Sequence, residues 1–166
     1  EADDPASTPR DEWRGGHLPF LYQTDPQYRD APYAGTTVRE AGCGPTSLAM
    51  VYIALTGKTD KDPAAMAAFS EAEGYVEEGL TAWRFMTDGA ADLGLSSHEV
   101  PADAGRLKEE LAQGHPIICS MGPGDFTNQG HFIVLSGLTE DGKVLINDPN
   151  SKINSRKKWD LNTIIN

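Results

Sequence analysis

The chain has 166 residues, and its 25 Asp and Glu against 14 Lys and Arg give a net charge of −11. That length suits one domain with its own core, since domains commonly hold about 100 to 150 residues. Such a negative charge repels a phosphate backbone, so we expect no nucleic-acid partner. We also expect no membrane-spanning segment, because no apolar run approaches the roughly 20 residues that cross a bilayer.

The beginning of the chain differs in composition from the rest. Residues 1–12 are mostly small or polar and contain Pro5 and Pro9, which is typical of a leader or linker. We therefore predict a polar leader at residues 1–12 and a single domain at residues 13–166. The first residue is Glu1 rather than Met, which favours a processed chain and an extracellular or cell-surface location.

The first half of the domain predicts helices with few strands. Residues 18–22 are expected as a short strand in an irregular, Pro-rich approach. A helix is predicted to begin at Cys43, because Pro45 suits a first helical turn, and to end at Gly57. The later elements are expected as a helix from Asp62 to Gly74, a helix capped by Thr81 and ending at Gly94, a strand over residues 95–100, and a helix from Asp103 to Gly114.

The second half predicts a sheet. Short apolar runs at residues 116–121, 131–138 and 143–148 indicate strands, and Glu140-Asp141-Gly142 is a turn signal that joins the last two as an antiparallel hairpin. Residues 151–166 are expected to close the domain with a helix on the core. Helices followed by antiparallel strands indicate an α+β fold in which the Cys43 helix packs on a C-terminal sheet.

Cys43 is the candidate nucleophile. It lies between Gly42 and Gly44 at a helix start, where the positive end of the helix favours a thiolate, and the glycines are expected to leave room for a substrate backbone. Cys119 lies within an apolar strand and is interpreted as structural. A disulfide between the two cysteines is the competing interpretation, since an exported protein allows one.

His131 and Asp148 are the candidate partners of the thiol. A thiol nucleophile needs a base, and the base needs a third group that holds its tautomer. In a hairpin that turns at residues 140–142, His131 and Asp148 fall near the same end, which places an acid beside an imidazole. Taken alone, His131 is equally well a structural residue at a strand end, and Asp148 before Pro149 is equally well a turn residue.

Metal and cofactor sites are not expected. The sequence has no Cys-x-x-Cys or His-x-x-x-His spacing, which disfavours a metal site built on Cys43. The remaining histidines, His17, His98 and His115, are interpreted as structural or exposed. A chemistry based on a thiol and an imidazole requires no cofactor.

Three blocks in order resemble a known family. They are Gly-Cys-Gly-Pro-Thr-Ser-Leu-Ala-Met at residues 42–50, Gly-His-Phe-Ile-Val-Leu at 130–135, and Ile-Asn-Asp-Pro at 146–149. Together they resemble the C39-like cysteine peptidases of bacteria, relatives of the bacteriocin leader-processing domains in the papain-like group. The resemblance covers residues 23 to about 149.

This resemblance implies a papain-like fold and a role for each site residue. Cys43 would attack a carbonyl, His131 would carry the proton, and Asp148 would orient His131. The family also implies an oxyanion donor, but the bacteriocin-type Gln six residues before the nucleophile is Thr37 here. Gln23 is the nearest candidate, and its amide would act with the backbone N–H of Cys43.

The sequence therefore predicts a cysteine peptidase that cleaves a peptide or protein substrate through a thioester intermediate. The loop at residues 122–130, next to His131, is predicted to form a cleft wall or lid. Two alternatives stay open. The same residues would serve a transglutaminase-like acyl transfer to an amine, and a catalytically silent relative would keep the fold only to bind a peptide.

Overall fold

The computed structural model describes residues 6–121 and 131–165, so the predicted cleft wall at residues 122–130 lies outside the described residues. Helices and antiparallel strands occur in the predicted order, and the fold is α+β. The helices are α1 (Val38–Ala41), α2 (Cys43–Thr56), α3 (Pro63–Ala72), α4 (Asp88–Asp92), α5 (Ala104–Ala112), α6 (Lys152–Arg156) and α7 (Leu161–Ile165), with 3₁₀ turns at Arg10–Glu12 and Trp83–Met86. The strands are β1 (Pro32–Tyr33), β2 (Thr36–Thr37), β3 (Val76–Glu77), β4 (Leu80–Thr81), β5 (Ile117–Met121), β6 (His131–Leu138), β7 (Val144–Asn147) and β8 (Lys158–Trp159).

The main sheet has the strand order β5-β6-β7-β8, with every neighbouring pair antiparallel. Because β6 is central, its side chains alternate between two buried faces. Val134 joins a core cluster with Leu48, Met50 and Ile53 of α2, so the Cys43 helix packs on one face of the sheet as expected.

The opposite face of the sheet is covered by the other helices. Ile133 and Leu135 of β6 pack with Leu107 of α5 and Leu161 of α7. The sheet is thus sandwiched between α2 and a layer formed by α5 and α7. Within the described ranges, none of the helices has the length and hydropathy that crossing a bilayer requires.

Several helix starts and ends follow local signals in the sequence. Asp62 caps α3 by accepting a hydrogen bond from the Ala65 N–H at 2.8 Å, and Asp103 caps α5 by accepting from the Arg106 N–H at 3.0 Å. Gly57 ends α2 with a φ of 74°, the left-handed conformation that glycine adopts without strain. The three predicted helices that begin at Cys43, Asp62 and Asp103 are therefore confirmed.

Three local predictions are wrong. Residues 18–22 and 95–100 form no strand, because neither segment adds to the main sheet. Thr81 does not cap a helix: it belongs to β4, and its hydroxyl bonds to Tyr33 Oη at 2.6 Å. The helix predicted to follow Thr81 is divided into the Trp83–Met86 turn and α4.

The predicted leader contacts the body from residue 7 onward. The Ser7 N–H donates to Asp25 Oδ2 at 2.8 Å, and the Thr8 N–H donates to the Phe20 carbonyl at 2.7 Å. The extended segment that the sequence indicated as a strand is thus paired with residues 7–8 rather than with the sheet. The boundary between residues 12 and 13 stays a prediction.

Two short hairpins, β1–β2 and β3–β4, lie side by side. Their turn residues Ala34-Gly35 and Glu78-Gly79 all have positive φ, at 54° and 80° and at 52° and 77°. Positive φ at both central positions defines the type I′ turn, whose twist matches that of a hairpin. A Cβ on Gly79 would lie 3.9 Å from the Ala34 carbonyl, so the two turns are adjacent.

Candidate active site

Cys43 is the first residue of α2 and is partly exposed. The N–H groups of a first helical turn generally lack intrahelical partners, and they stabilise a nearby negative charge. The thiol is therefore both accessible and placed at the positive end of a buried helix, as the sequence predicted.

The two glycines that flank Cys43 are required by this chain's own atoms. A Cβ on Gly42 would lie 2.5 Å from the Val38 carbonyl oxygen, and a Cβ on Gly44 would lie 2.9 Å from Thr81 Oγ1. The expectation that they leave room for a substrate backbone is therefore wrong, because Val38 and Thr81 already occupy that space.

We expect Gly44→Ala to destabilise the protein by about 1–3 kcal/mol, the usual cost of overpacking a filled site. Thr81 cannot withdraw without losing its bond to Tyr33. Chemical denaturation measures the change, and Gly105→Ala, on the first turn of α5, is a control with only one contact at 3.3 Å. A Gly44→Ala protein as stable as the wild type would contradict the packing of Thr81 on α2.

A buried hydroxyl network holds Thr81 in place. Tyr33 is fully buried, and its Oη bonds to Ser70 Oγ at 2.8 Å and to Thr81 Oγ1 at 2.6 Å. Burial raises the pKa of Tyr33, its two hydroxyl partners lower it, and a negative charge on Cys43 adds to the rise. The network therefore joins β1, α3 and β4 close to the thiol.

His131 begins β6, opposite Met121 in the register with β5. Its side chain is buried, with the residue 7% exposed, and its Nε2 lies 2.7 Å from Oδ1 of Asp148, a residue only 1% exposed. The Cys43 side chain also acts on this ring, because it raises the pKa of His131 through hydrogen bonding and charge. Since Nε2 is engaged by Asp148, Nδ1 is the ring nitrogen left to interact with Cys43. Thiol, imidazole and carboxylate thus influence one another.

The pKa of His131 shows how strongly it is paired. Burial lowers this pKa, but the hydrogen bonds to Asp148 and Cys43 and the negative charges of both residues raise it, and the result is about 9. The ordinary value is about 6.5. The imidazolium form is therefore the one that the site stabilises at neutral pH.

Asp148 is itself fixed by the segment that follows it. Its Oδ1 accepts a second bond from the Asn150 N–H at 2.9 Å, its Oδ2 accepts from Asn154 Nδ2 at 3.1 Å, and its own N–H donates to Ser155 Oγ at 2.8 Å. Asp148 is thus a turn residue and a partner of His131 at once. Asn154 and Ser155 were missed, since nothing in a five-residue helix at 152–156 marks those two positions.

Gln23 is buried next to the same elements. Its N–H donates to the Pro149 carbonyl at 2.8 Å, and its Nε2 donates to the carbonyls of Arg39 at 2.9 Å and Val38 at 3.3 Å. Its Oε1 has no hydrogen-bond partner among the described residues. The structure therefore places Gln23 between α1 and the turn after Asp148, with its amide hydrogens engaged by backbone carbonyls.

The two cysteines are not bonded to each other. Both are free thiols, so the disulfide interpretation is wrong. Burial raises the pKa of Cys119 in β5 to about 12, which makes it the less reactive kind of thiol. Cys43 is consequently available for chemistry.

The other histidines lie away from the thiol or on the surface. His115 Nδ1 lies 2.7 Å from Glu110 Oε1, His98 Nε2 lies 3.4 Å from Glu110 Oε2, and His17 is exposed. Across residues 6–121 and 131–165, no group of three or more His, Cys, Asp or Glu side chains is placed to hold a metal ion.

Comparison with known proteins gives one match. The model of the peptidase C39-like family matches residues 17–165, most of the chain. No curated protein and no solved structure gives a significant match. The family indicates cysteine peptidase activity, and its papain-like fold agrees with the α+β arrangement of α2 on an antiparallel sheet. From this match over nearly its whole length, the chain belongs to the peptidase C39-like family.

Proposed function

We propose that this protein is a cysteine peptidase in which Cys43, His131 and Asp148 cleave a peptide bond through a thioester intermediate. The observation that carries the proposal is the contact of 2.7 Å between His131 Nε2 and Asp148 Oδ1, in a site where the Cys43 side chain also raises the pKa of His131. A structural histidine would not need a partly exposed thiol on one side and a carboxylate with three donors on the other.

The first half of the reaction forms the thioester. The Cys43 thiolate attacks the carbonyl carbon of the scissile peptide and forms a C–S bond, which places a negative charge on the carbonyl oxygen. His131 then donates its Nδ1 proton to the leaving nitrogen as the C–N bond breaks. Asp148 holds Nε2–H throughout, so the proton that moves is the one on the thiol side.

The second half releases the product. Neutral His131 accepts a proton from water through Nδ1, the resulting hydroxide adds to the thioester carbonyl, and the C–S bond breaks. The products are a carboxylic acid and the regenerated thiolate–imidazolium pair. An amine in place of water would give acyl transfer with the same residues.

We assign the oxyanion site to the backbone N–H of Cys43 together with Gln23. The amide of Gln23 lies against α1, and its longer hydrogen bond, the one of 3.3 Å to the Val38 carbonyl, is the weaker of the two. Donation to the oxyanion exchanges this bond for a charge-assisted one, a change that favours the transition state. Such a donor typically contributes on the order of 3 kcal/mol.

Incubating the wild-type protein with a library of peptides tests the proposal. We expect new carboxyl and amino termini in equal amounts by mass spectrometry, and no incorporation of an added amine such as cadaverine. Incorporation of the amine would indicate that the protein is an acyl transferase rather than a peptidase. Peptide binding without any bond cleavage would contradict both and favour a silent binding module.

A further inference from the structure

Two large apolar side chains are exposed close to the proposed nucleophile. Trp83 is 75% exposed and Leu80 is 64% exposed, the two highest values among the exposed large apolar residues that the structure describes. A tryptophan exposed to this extent costs solvation free energy, and apolar patches of this kind mark sites that bind another molecule.

Thr81 connects this patch to the active site. Its side chain fills the space over Gly44, the residue that follows Cys43, and Leu80 and Trp83 are one and two positions away in the chain. Consecutive Cα atoms are about 3.8 Å apart, so the Cα atoms of Thr81 and Trp83 are separated by at most roughly 7 Å. An extended peptide rises by about 3.3 Å per residue. A peptide bond at Cys43 thus places side chains a few residues away within reach of Trp83.

The patch is held rigidly by the residues beneath it. Thr81 is fixed by its bond of 2.6 Å to Tyr33, and the Ala82 N–H donates to the Tyr75 carbonyl at 2.8 Å. The side chain of Phe85 is fully buried in the main core. Because the backbone is fixed on both sides of Trp83, binding there costs little ordering of the protein.

Charges of both signs surround the patch. Glu77 and Glu78 are exposed in the β3–β4 hairpin and Glu40 on α1 just before Cys43, and the exposed Arg84 and Arg39 lie beside Trp83 and Glu40. Arg84 forms its ion pair with Glu77, at 3.3 Å, so it does not neutralise the charge of Glu78. Together with the net charge of −11, this favours a cationic partner.

We propose that Leu80 and Trp83 bind a large apolar side chain of the peptide substrate and that Glu78 favours a basic residue beside it. This inference rests on the proposed peptidase function and names its substrate class. The patch determines specificity and takes no part in the chemistry, so it acts on KM rather than on kcat.

Two peptides of equal length test the proposal. They differ only at two adjacent positions on one side of the cut bond, where one has Phe-Lys and the other has Gly-Lys. For the wild type we expect a lower KM for the Phe-Lys peptide, and for Trp83→Ala a rise of about tenfold in that KM with kcat unchanged. The KM for the Gly-Lys peptide should be the same in Trp83→Ala as in the wild type. Leu55→Ala, which removes another exposed leucine (52% exposed) at the far end of α2, is the matched control.

Glu78→Gln tests the second part of the proposal. It keeps the size of the side chain and removes its charge, so the preference of the wild type for Phe-Lys over Phe-Gln should decrease severalfold. Equal effects of Trp83→Ala on both peptides, or no effect on either, would overturn the apolar site. An unchanged preference in Glu78→Gln would overturn the role of Glu78.

A binding measurement separates this inference from the proposed function. In the Cys43→Ala background, the affinity for a fluorescent Phe-Lys peptide should fall about tenfold when Trp83 is also replaced by alanine. If the wild type cleaves nothing while this difference persists, the peptidase function fails and the peptide site stands. If cleavage occurs and the difference is absent, the peptide site fails alone.

Discussion

Cys43→Ala is expected to lose at least about 10⁴-fold in kcat/KM for peptide cleavage, because the nucleophile of the thioester pathway is gone. The fold should survive, since Cys43 is partly exposed and alanine is a good helix former. Cleavage of a peptide found in the library, followed by chromatography, measures the loss. The circular dichroism spectrum and the midpoint of thermal unfolding confirm that the variant is folded.

Cys119→Ala is the matched control for this first prediction. It removes the other thiol of the chain, which lies in β5 and packs in the core cluster on the face of the sheet opposite α2. We expect cleavage within about twofold of the wild type. Cleavage that survives in Cys43→Ala, or that disappears in a folded Cys119→Ala, would place the reaction elsewhere in the molecule.

Asp148→Ala is expected to lower kcat/KM at neutral pH on the order of 10³-fold, since the tautomer and orientation of His131 are no longer held. The pH profile should change with it. His131 has a pKa of about 9 in the intact site, partly because of the Asp148 charge, so activity of the wild type should fall as pH rises through about 9. Without that charge, the alkaline limb should move to lower pH.

Asp148→Asn separates charge from hydrogen bonding. An asparagine retains an oxygen acceptor for His131 Nε2 at the position of Oδ1. Its amide nitrogen would take the position of Oδ2, which in the wild type accepts a hydrogen bond from Asn154 Nδ2. We expect a smaller loss of activity than in Asp148→Ala and a shift of the alkaline limb in the same direction. A limb that stays near pH 9 in both variants would contradict the assignment of this pKa to a His131–Asp148 pair.

The pairing of His131 with Asp148 also makes the stability of the folded protein depend on pH. Because the pKa of His131 is higher in the folded protein than its ordinary value of about 6.5, proton binding favours the folded state. This contribution is fully present below about pH 6.5 and is lost as pH rises through about 9. The free energies of unfolding of the wild type and of Asp148→Ala, measured by urea denaturation at several pH values, should therefore converge as pH rises.

Local chemistry was enough to predict the ends of the main helices and the pairing of His131 with Asp148. Pro45 and Gly57 set the limits of α2, and Asp62 and Asp103 cap their helices through bonds three residues along the chain. The turn at Glu140–Gly142 set a register that brings His131 and Asp148 to the same end of β6 and β7. Each of these signals acts over a few residues or through a single turn.

The parts that failed depend on partners far away in the sequence. Thr81 is a residue type that commonly caps helices, but its hydroxyl is hydrogen-bonded to Tyr33, which lies 48 residues earlier in the chain. The small hairpins turn at Ala34-Gly35 and Glu78-Gly79, which lack the Asn-Gly or Asp-Gly signal of a type I′ turn. Residues 95–100 alternate like a strand, yet they pair with neither edge strand of the sheet, β5 or β8.

The glycines around Cys43 show the same distinction within the site. The sequence has glycines on both sides of Cys43, but the reason inferred for them was wrong. Val38 lies four residues before Gly42, and Thr81 lies 37 residues after Gly44. Only the packing of the β3–β4 hairpin on α2 reveals that Gly44 is needed for a contact within the protein.

Selective alkylation of the native protein tests the central claim, that Cys43 is paired with His131 as an activated thiol. Iodoacetamide is added between pH 5 and 9, and labelling of each cysteine is followed by mass spectrometry of peptides. The account predicts rapid labelling of Cys43 at pH 6, slow labelling of Cys119, and loss of the reactivity of Cys43 at pH 6 in His131→Ala. Labelling of Cys43 that appears only near pH 8.5, as for a free thiol, and that is the same in His131→Ala would contradict it.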